Sequence, residues 1–193
     1  ANGSVYAALA LALVLIYRAT GVVNFAQGEM ATLTAYLTWT MIVAGVPWPI
    51  AVVAALGISA ALGVGIYALL VRRIKGRARH TNIAILTLAL FTFLASTTLS
   101  IWTGIPKSFP PIFGSGVVEF AGVRISITVI FVLVIAFATM ALVSVFFRFT
   151  KLGLGLQGAT SNETAARIVG IEPNRAYLVG WGLAAVVGGI AGI

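Results

Sequence analysis

The segment Gly153-Leu-Gly-Leu-Gln-Gly-Ala-Thr160 has the GxxxxG spacing of a phosphate-binding loop, but Ala159 stands where that loop needs its lysine. The lysine reaches the β- and γ-phosphates, and the loop must follow a strand, which nothing upstream predicts. The spacing therefore predicts no ATP hydrolysis by this chain. Overlapping its end is a polar island, Gly158 to Arg175, in an otherwise lipid-adapted sequence. Thr160 and Glu163 stand at capping-box spacing, with Ser161 and Asn162 as competing N-caps. Glu163 precedes Arg167 by four residues in the favourable order. Ala165, Ala166 and Val169 place small apolar groups on the remaining surface, Gly170 is a natural C-terminal stop, and Pro173 blocks resumption. These features predict about two turns of helix from Asn162 to Val169, too short to be stable unsupported. It would rest on the membrane surface, or its Ala-rich face would enter a protein cleft. The lack of large Leu, Phe or Trp anchors favours the cleft.

A second group of polar residues interrupts the apolar pattern at Arg18-Ala-Thr-Gly-Val-Val-Asn-Phe-Ala-Gln-Gly-Glu29. Gly-interrupted short segments point to transport sites, where broken helix ends face a solute. Asn24, Gln27, Gly28 and Glu29 are the candidate solute-path residues. Asn24 and Gln27 would either satisfy freed backbone groups or contact solute amides and carboxylates. Glu29 is either an intramembrane carboxylate or a first-turn residue among headgroups, favoured by the helix dipole.

The elements positioning these groups are written in the composition. The chain is 61% hydrophobic and 8% charged, against about 25% charged in soluble domains, so its solvent must be a bilayer. It has no Cys and one His, His80, which argues against thiolate chemistry, metal clusters and a Ser-His-Asp triad. Neither a metal site nor a cofactor is expected.

Six apolar segments, near 3–17, 30–46, 50–71, 83–102, 125–147 and 176–193, predict an all-α fold, a polytopic membrane helix bundle of about six transmembrane helices. Ten of the twelve Lys and Arg fall in loops sharing one side. The positive-inside rule makes 72–80 a basic cytoplasmic loop, puts 148–175 in the cytoplasm too, and leaves 103–124 external. The net charge of +8 is thereby assigned to orientation and not to nucleic acid. The external loop should be ordered by Pro106, Pro110 and Pro111, with a hairpin over 117–125 turning at Ala121-Gly122. It would serve as a lid or as a contact for an external solute-binding protein. Small residues at four-residue spacing, Gly57, Ala61 and Gly65, and again Gly180, Ala184, Gly188 and Gly192, predict close helix packing. The ends at Ala1 and Ile193 read as those of an excerpt, one permease domain incomplete at both ends.

Two segments together resemble a known family. Gly21-Val-Val-Asn-Phe-Ala-Gln-Gly-Glu29 followed by Ala35-Tyr36 is similar to the early signature of branched-chain amino acid ABC transporter permeases. Asn162, Ala165-Ala166, Gly170-Ile171 and Asn174-Arg175 resemble the cytoplasmic coupling loop of that family. Asn2-Gly-Ser-Val-Tyr-Ala7 and Gly180 to Gly192 also fit, while Gln27 sits where many members have His. The resemblance implies an importer subunit in the bacterial inner membrane, multi-pass, partnered by membrane lipid, a second permease, two cytoplasmic ATPases and a periplasmic solute-binding protein. On it, the coupling residues are Asn162, Glu163, Ala165, Ala166, Arg167, Gly170 and Ile171. Branched-chain or related amino acids are the expected solutes, with urea or short amides as alternatives within the family. From another class, an ion-gradient-driven carrier or channel would need intramembrane charges beyond Glu29, which the clear spans lack.

Overall fold

The computed structural model describes residues 21, 23–74, 76, 78–104, 107, 109, 116–120 and 123–193, with isolated positions 6, 10, 13, 14 and 17. The first apolar segment as a span, Arg18, the three loop prolines and the 121–122 turn lie outside the described residues. Seven α-helices follow in order among them: α1 (Gln27–Val43), α2 (Trp48–Leu69), α3 (Arg79–Trp102), α4 (Ile127–Phe149), α5 (Lys151–Ser161), α6 (Glu163–Ile168) and α7 (Pro173–Gly192). A 3-10 turn at Val71–Arg73 extends α2, and a hairpin, β1 (Val117–Phe120) with β2 (Val123–Ser126), precedes α4.

Four helical segments, Trp48–Arg73, α3, α4 and α7, are long and apolar enough to cross a membrane. Helix α1, at 17 residues, reaches about 26 Å at 1.5 Å per residue, just under a ~30 Å hydrocarbon core. The fold is thus an all-α membrane bundle, with five of the six expected segments found as helices. The hairpin register pairs Phe120 with Val123 and Val117 with Ser126, as a connection through 121 and 122 requires. Helices α3 and α4 turn large side chains such as Ile85, Phe93, Leu99, Phe137 and Leu142 outward, which suits lipid or another membrane chain and would be a liability in water.

Helix α7 is the axis of the bundle, packed by α1 and α2. Its small residues Gly180, Ala184 and Gly188 are buried, as the four-residue spacing predicts. A Cβ at Gly192 would collide with the Ala31 backbone, and one at Gly189 would lie 2.9 Å from Thr34 Cγ2. On α2 the packed stripe differs from the expected one. Ala51, Ala55, Ser59, Gly63 and Tyr67 are buried, whereas added Cβ atoms at Gly57 and Gly65 would meet nothing within 4 Å. Two residues correspond to about 200° around a helix, so the Gly57-Ala61-Gly65 face points away from α7.

Polar side chains cross-link these apolar surfaces. Ser59 Oγ donates to the Ala185 carbonyl at 3.0 Å, and Thr34 Oγ1 lies 3.0 Å from Ser59 Oγ. Thr34 is also 2.7 Å from the Met30 carbonyl, so its one proton has two acceptors. Gln27 Nε2 donates to the Ala184 carbonyl at 2.9 Å. Such interhelical bonds contribute roughly 0.6–2 kcal/mol each in a membrane, and here they hold α1, α2 and α7 in register. Trp102 Nε1 donates to Thr40 Oγ1 at 2.9 Å, tying the end of α3 to α1.

Candidate coupling surface and solute path

The 151–161 segment is a helix, where the sequence suggested only a failed phosphate loop. Thr150 caps it: its hydroxyl accepts from the Gly153 amide at 2.9 Å, and its Oγ1 lies 2.6 Å from the Phe146 carbonyl. Gly153 is required because a Cβ there would enter the Phe146–Phe147 backbone. Gln157 Nε2 donates to the Phe147 carbonyl at 3.0 Å, so α5 folds back against the end of α4. Tyr177 of α7 closes the other side by donating to the Ala159 carbonyl at 3.1 Å.

Asn162 then breaks the helix and starts the next. Its extended backbone (φ −153°, ψ 99°) separates α5 from α6, and its Oδ1 accepts from the Ala165 amide at 3.0 Å. Asn162 is therefore the N-cap among the competing residues, and the expected Thr160–Glu163 capping box does not form. Thr160 lies inside α5, donating to the Leu156 carbonyl at 2.9 Å, while Glu163 pairs with Arg167 at 2.9 Å and with Arg79 at 3.8 Å. Helix α6 has six residues, shorter than the two turns expected. Gly170 (φ 83°) ends it, and the Ile171 amide donates back to the Ala166 carbonyl at 2.9 Å. Ile171 anchors against Gly155 and Gly158, and Pro173 opens α7.

The resulting surface differs from the expected Ala-rich face. Ala166 is 4% exposed and faces the bundle, while Ile168 is 81% and Val169 73% exposed at the tip of α6. The sequence reading included Val169 but passed over Ile168; its place three residues after Ala165 and one before Val169 was the available signal. Ala165 and Arg167 are exposed, and Asn162, Glu163 and Gly170 belong to the same projection. Removing the cap tests its local role. Asn162→Ala should cost about 0.5–2 kcal/mol and speed amide exchange across 163–169 selectively, read by hydrogen–deuterium exchange.

The second candidate segment enters the bundle. Gln27 bonds to Ala184, eleven residues after Pro173, which places the start of α1 alongside the middle of α7, about 16 Å along its axis. Gly21 lies near His80 and Thr160, so Gly21 marks the α5 end of the bundle and residues 23–27 lead toward its middle. Asn24 makes this turn: its Oδ1 accepts from the Ala26 amide at 3.1 Å, and its Nδ2 donates to Gln27 Oε1 at 3.3 Å. Both amides are buried, with these hydrogen bonds made inside the chain. Gly28 is exposed and Glu29 half-buried in the first turn of α1. The two pairs thus divide: Asn24 and Gln27 are buried and build the start of α1, while Gly28 is exposed and Glu29 half-buried beside them.

Among the described residues no group of three or more His, Cys, Asp or Glu could hold a metal. The family model for the branched-chain amino acid transport system permease component matches residues 1–193. The chain is 23% identical to the high-affinity branched-chain amino acid transport system permease protein LivH of Salmonella typhimurium, over 98% of this chain and 67% of that protein. It is 26% identical to the corresponding permease protein BraD of Pseudomonas aeruginosa, over 99% and 67%. A probable branched-chain amino acid transport permease of Methanocaldococcus jannaschii is 27% identical over 95% of this chain and 60% of its own length. No solved structure matches the chain.

Proposed function

The chain belongs to the family of branched-chain amino acid transport system permease components, and on that premise we propose that it is a permease subunit of an ATP-driven importer of branched-chain or related amino acids. It acts in the bacterial inner membrane with a second permease subunit, two cytoplasmic ATPases and a periplasmic solute-binding protein. Residues 72–80 and 148–175 face the cytoplasm, and 103–124 face outward. The observation that carries this reading is the capped projection α6, whose tip exposes Ile168 and Val169 beside Arg167. An apolar pair rimmed by charge suits a partner cleft, because aliphatic burial supplies affinity and the rim supplies register. ATP hydrolysis belongs to the partner, consistent with Gly153–Thr160 lying in helix.

Movement of α6 passes to the solute path through contacts already described. Ile171 and Tyr177 link α5, α6 and the start of α7, and α7 carries Ala184 against Gln27. A rocking of α7 therefore shifts the broken start of α1, where Gly28 and Glu29 line the path. The complete transporter, reconstituted in proteoliposomes with its binding protein, should take up labelled leucine only when ATP reaches the ATPases. Uptake driven by an ion gradient without ATP would overturn the reading. Uptake of urea in preference to leucine would reassign the solute class and leave the ATP-driven mechanism standing.

A further inference from the structure

Beside α6 lies an open cleft of about 730 Å³, walled by Arg72 and Arg73 of the 3-10 turn, Arg79 of α3, and Glu163 and Arg167 of α6. Four arginines against one glutamate leave the lining at +3. Glu163 pairs with Arg79 and Arg167, whereas Arg72 and Arg73 have no carboxylate within ion-pairing distance among the described residues. The positive-inside rule accounts for basic residues in this loop, but orientation alone does not require side chains from three separate elements to converge on one concavity. The remaining lining is amphipathic: the half-buried Ile74 supplies apolar surface, and Asn174 a polar group, its Oδ1 accepting from the hydroxyl of the buried Tyr67 at 3.1 Å. Arg79 stacks over the Tyr177 ring with its guanidinium carbon 5.8 Å from the ring centroid.

The cleft opens where α2 ends and α3 begins, at the boundary of two helices capable of spanning a membrane. Planar guanidiniums match phosphate oxygens bidentately, and basic pockets between membrane helices suit phospholipid headgroups. We propose that this cleft binds the phosphate of an anionic phospholipid, with Arg72 and Arg73 as its primary ligands and the half-buried Ile74 against the glycerol and upper acyl chain. Arg167 and Glu163 form one wall, so a seated headgroup also braces α6 against α3.

The full protein, purified in detergent, would be titrated with phosphatidylglycerol and with phosphatidylcholine of the same acyl chains, and bound lipid counted by native mass spectrometry. Phosphatidylglycerol should be retained at least about tenfold better, and Arg72→Gln with Arg73→Gln should remove most of that preference. Because these residues also serve orientation, Arg72→Lys with Arg73→Lys is the companion variant. It keeps the charge but loses the fork, and should weaken retention about threefold while thermal unfolding stays unchanged. Equal retention of the two lipids, or a preference untouched in both variants, overturns the proposal. Displacement of the lipid by inorganic phosphate in millimolar excess overturns the lipid assignment in favour of free phosphate. Loss of lipid only on adding the ATPase subunits shows a protein-filled cleft and equally overturns it.

Discussion

Gly63→Leu should prevent α2 from seating on α7, whereas Gly57→Leu, six residues earlier on the same helix, should be nearly silent in the isolated chain. Even a single Cβ at Gly63 would lie 2.5 Å from the Trp181 carbonyl oxygen and 2.8 Å from Ala185 Cβ. The first of these is backbone, so no rotamer change relieves it, and the two helices must separate. Overpacking a well-packed core costs about 1–3 kcal/mol, occasionally more; a branched side chain against backbone belongs at or above that upper end. Separation would also break the Ser59–Ala185 hydrogen bond, because that bond lies one turn away. At Gly57 nothing lies within 4 Å of the added atom, so the change should stay within about 0.5 kcal/mol. Thermal unfolding in detergent, followed by size-exclusion chromatography, separates the cases. Equal losses in the two variants would show that α2 packs on the wrong face.

The same pair of glycines shows what the sequence can and cannot specify. Span positions were legible because lipid demands long apolar runs, and Trp48, Trp102 and Phe149 sit within two residues of the expected ends. The phase of α2 was not legible. Its sequence holds two small-residue stripes at four-residue spacing, Gly57-Ala61-Gly65 and Ala51-Ala55-Ser59-Gly63, and periodicity cannot choose between them. The choice is made by α7, whose Trp181 and Ala185 require a glycine opposite, and by the hydroxyl of Ser59. Helix α5 was missed for a related reason. Three glycines in eleven residues weaken intrinsic helix preference by about 1 kcal/mol each relative to alanine, so the segment reads as a loop. Close backbone approach at Gly153, and Ile171 against Gly155 and Gly158, supply the stabilisation that propensity withholds. In the polar island the punctuation was readable: Asn162 among the caps, Gly170 as the stop, Pro173 as the restart. Which side faced outward was not, because Ala166 is buried only through the way α5 and Ile171 fold beneath it.

That inward turn decides where a disabling charge should go. Ala166→Glu would force a carboxylate into a site that is 4% exposed, so lost uptake in that variant would report a damaged bundle as readily as a lost partner. Ile168→Glu is the clean substitution: the side chain is 81% exposed and, being aliphatic, has no hydrogen bond or ion pair whose loss would unsettle α6. Full burial of an isoleucine in a partner cleft is worth roughly 1.5–3 kcal/mol, which corresponds to about a 10- to 150-fold change in affinity. A buried unpaired carboxylate adds a desolvation cost of its own. The variant should therefore insert and melt like the parent chain, yet lose at least tenfold in both ATPase co-purification and ATP-coupled uptake. Ile168→Val, which keeps the apolar contact, should retain most of both. Normal uptake by Ile168→Glu would remove α6 as the grip. Lost uptake with intact ATPase association would leave the docking site elsewhere and assign Ile168 to the transmitted motion, a split that the paired measurement resolves.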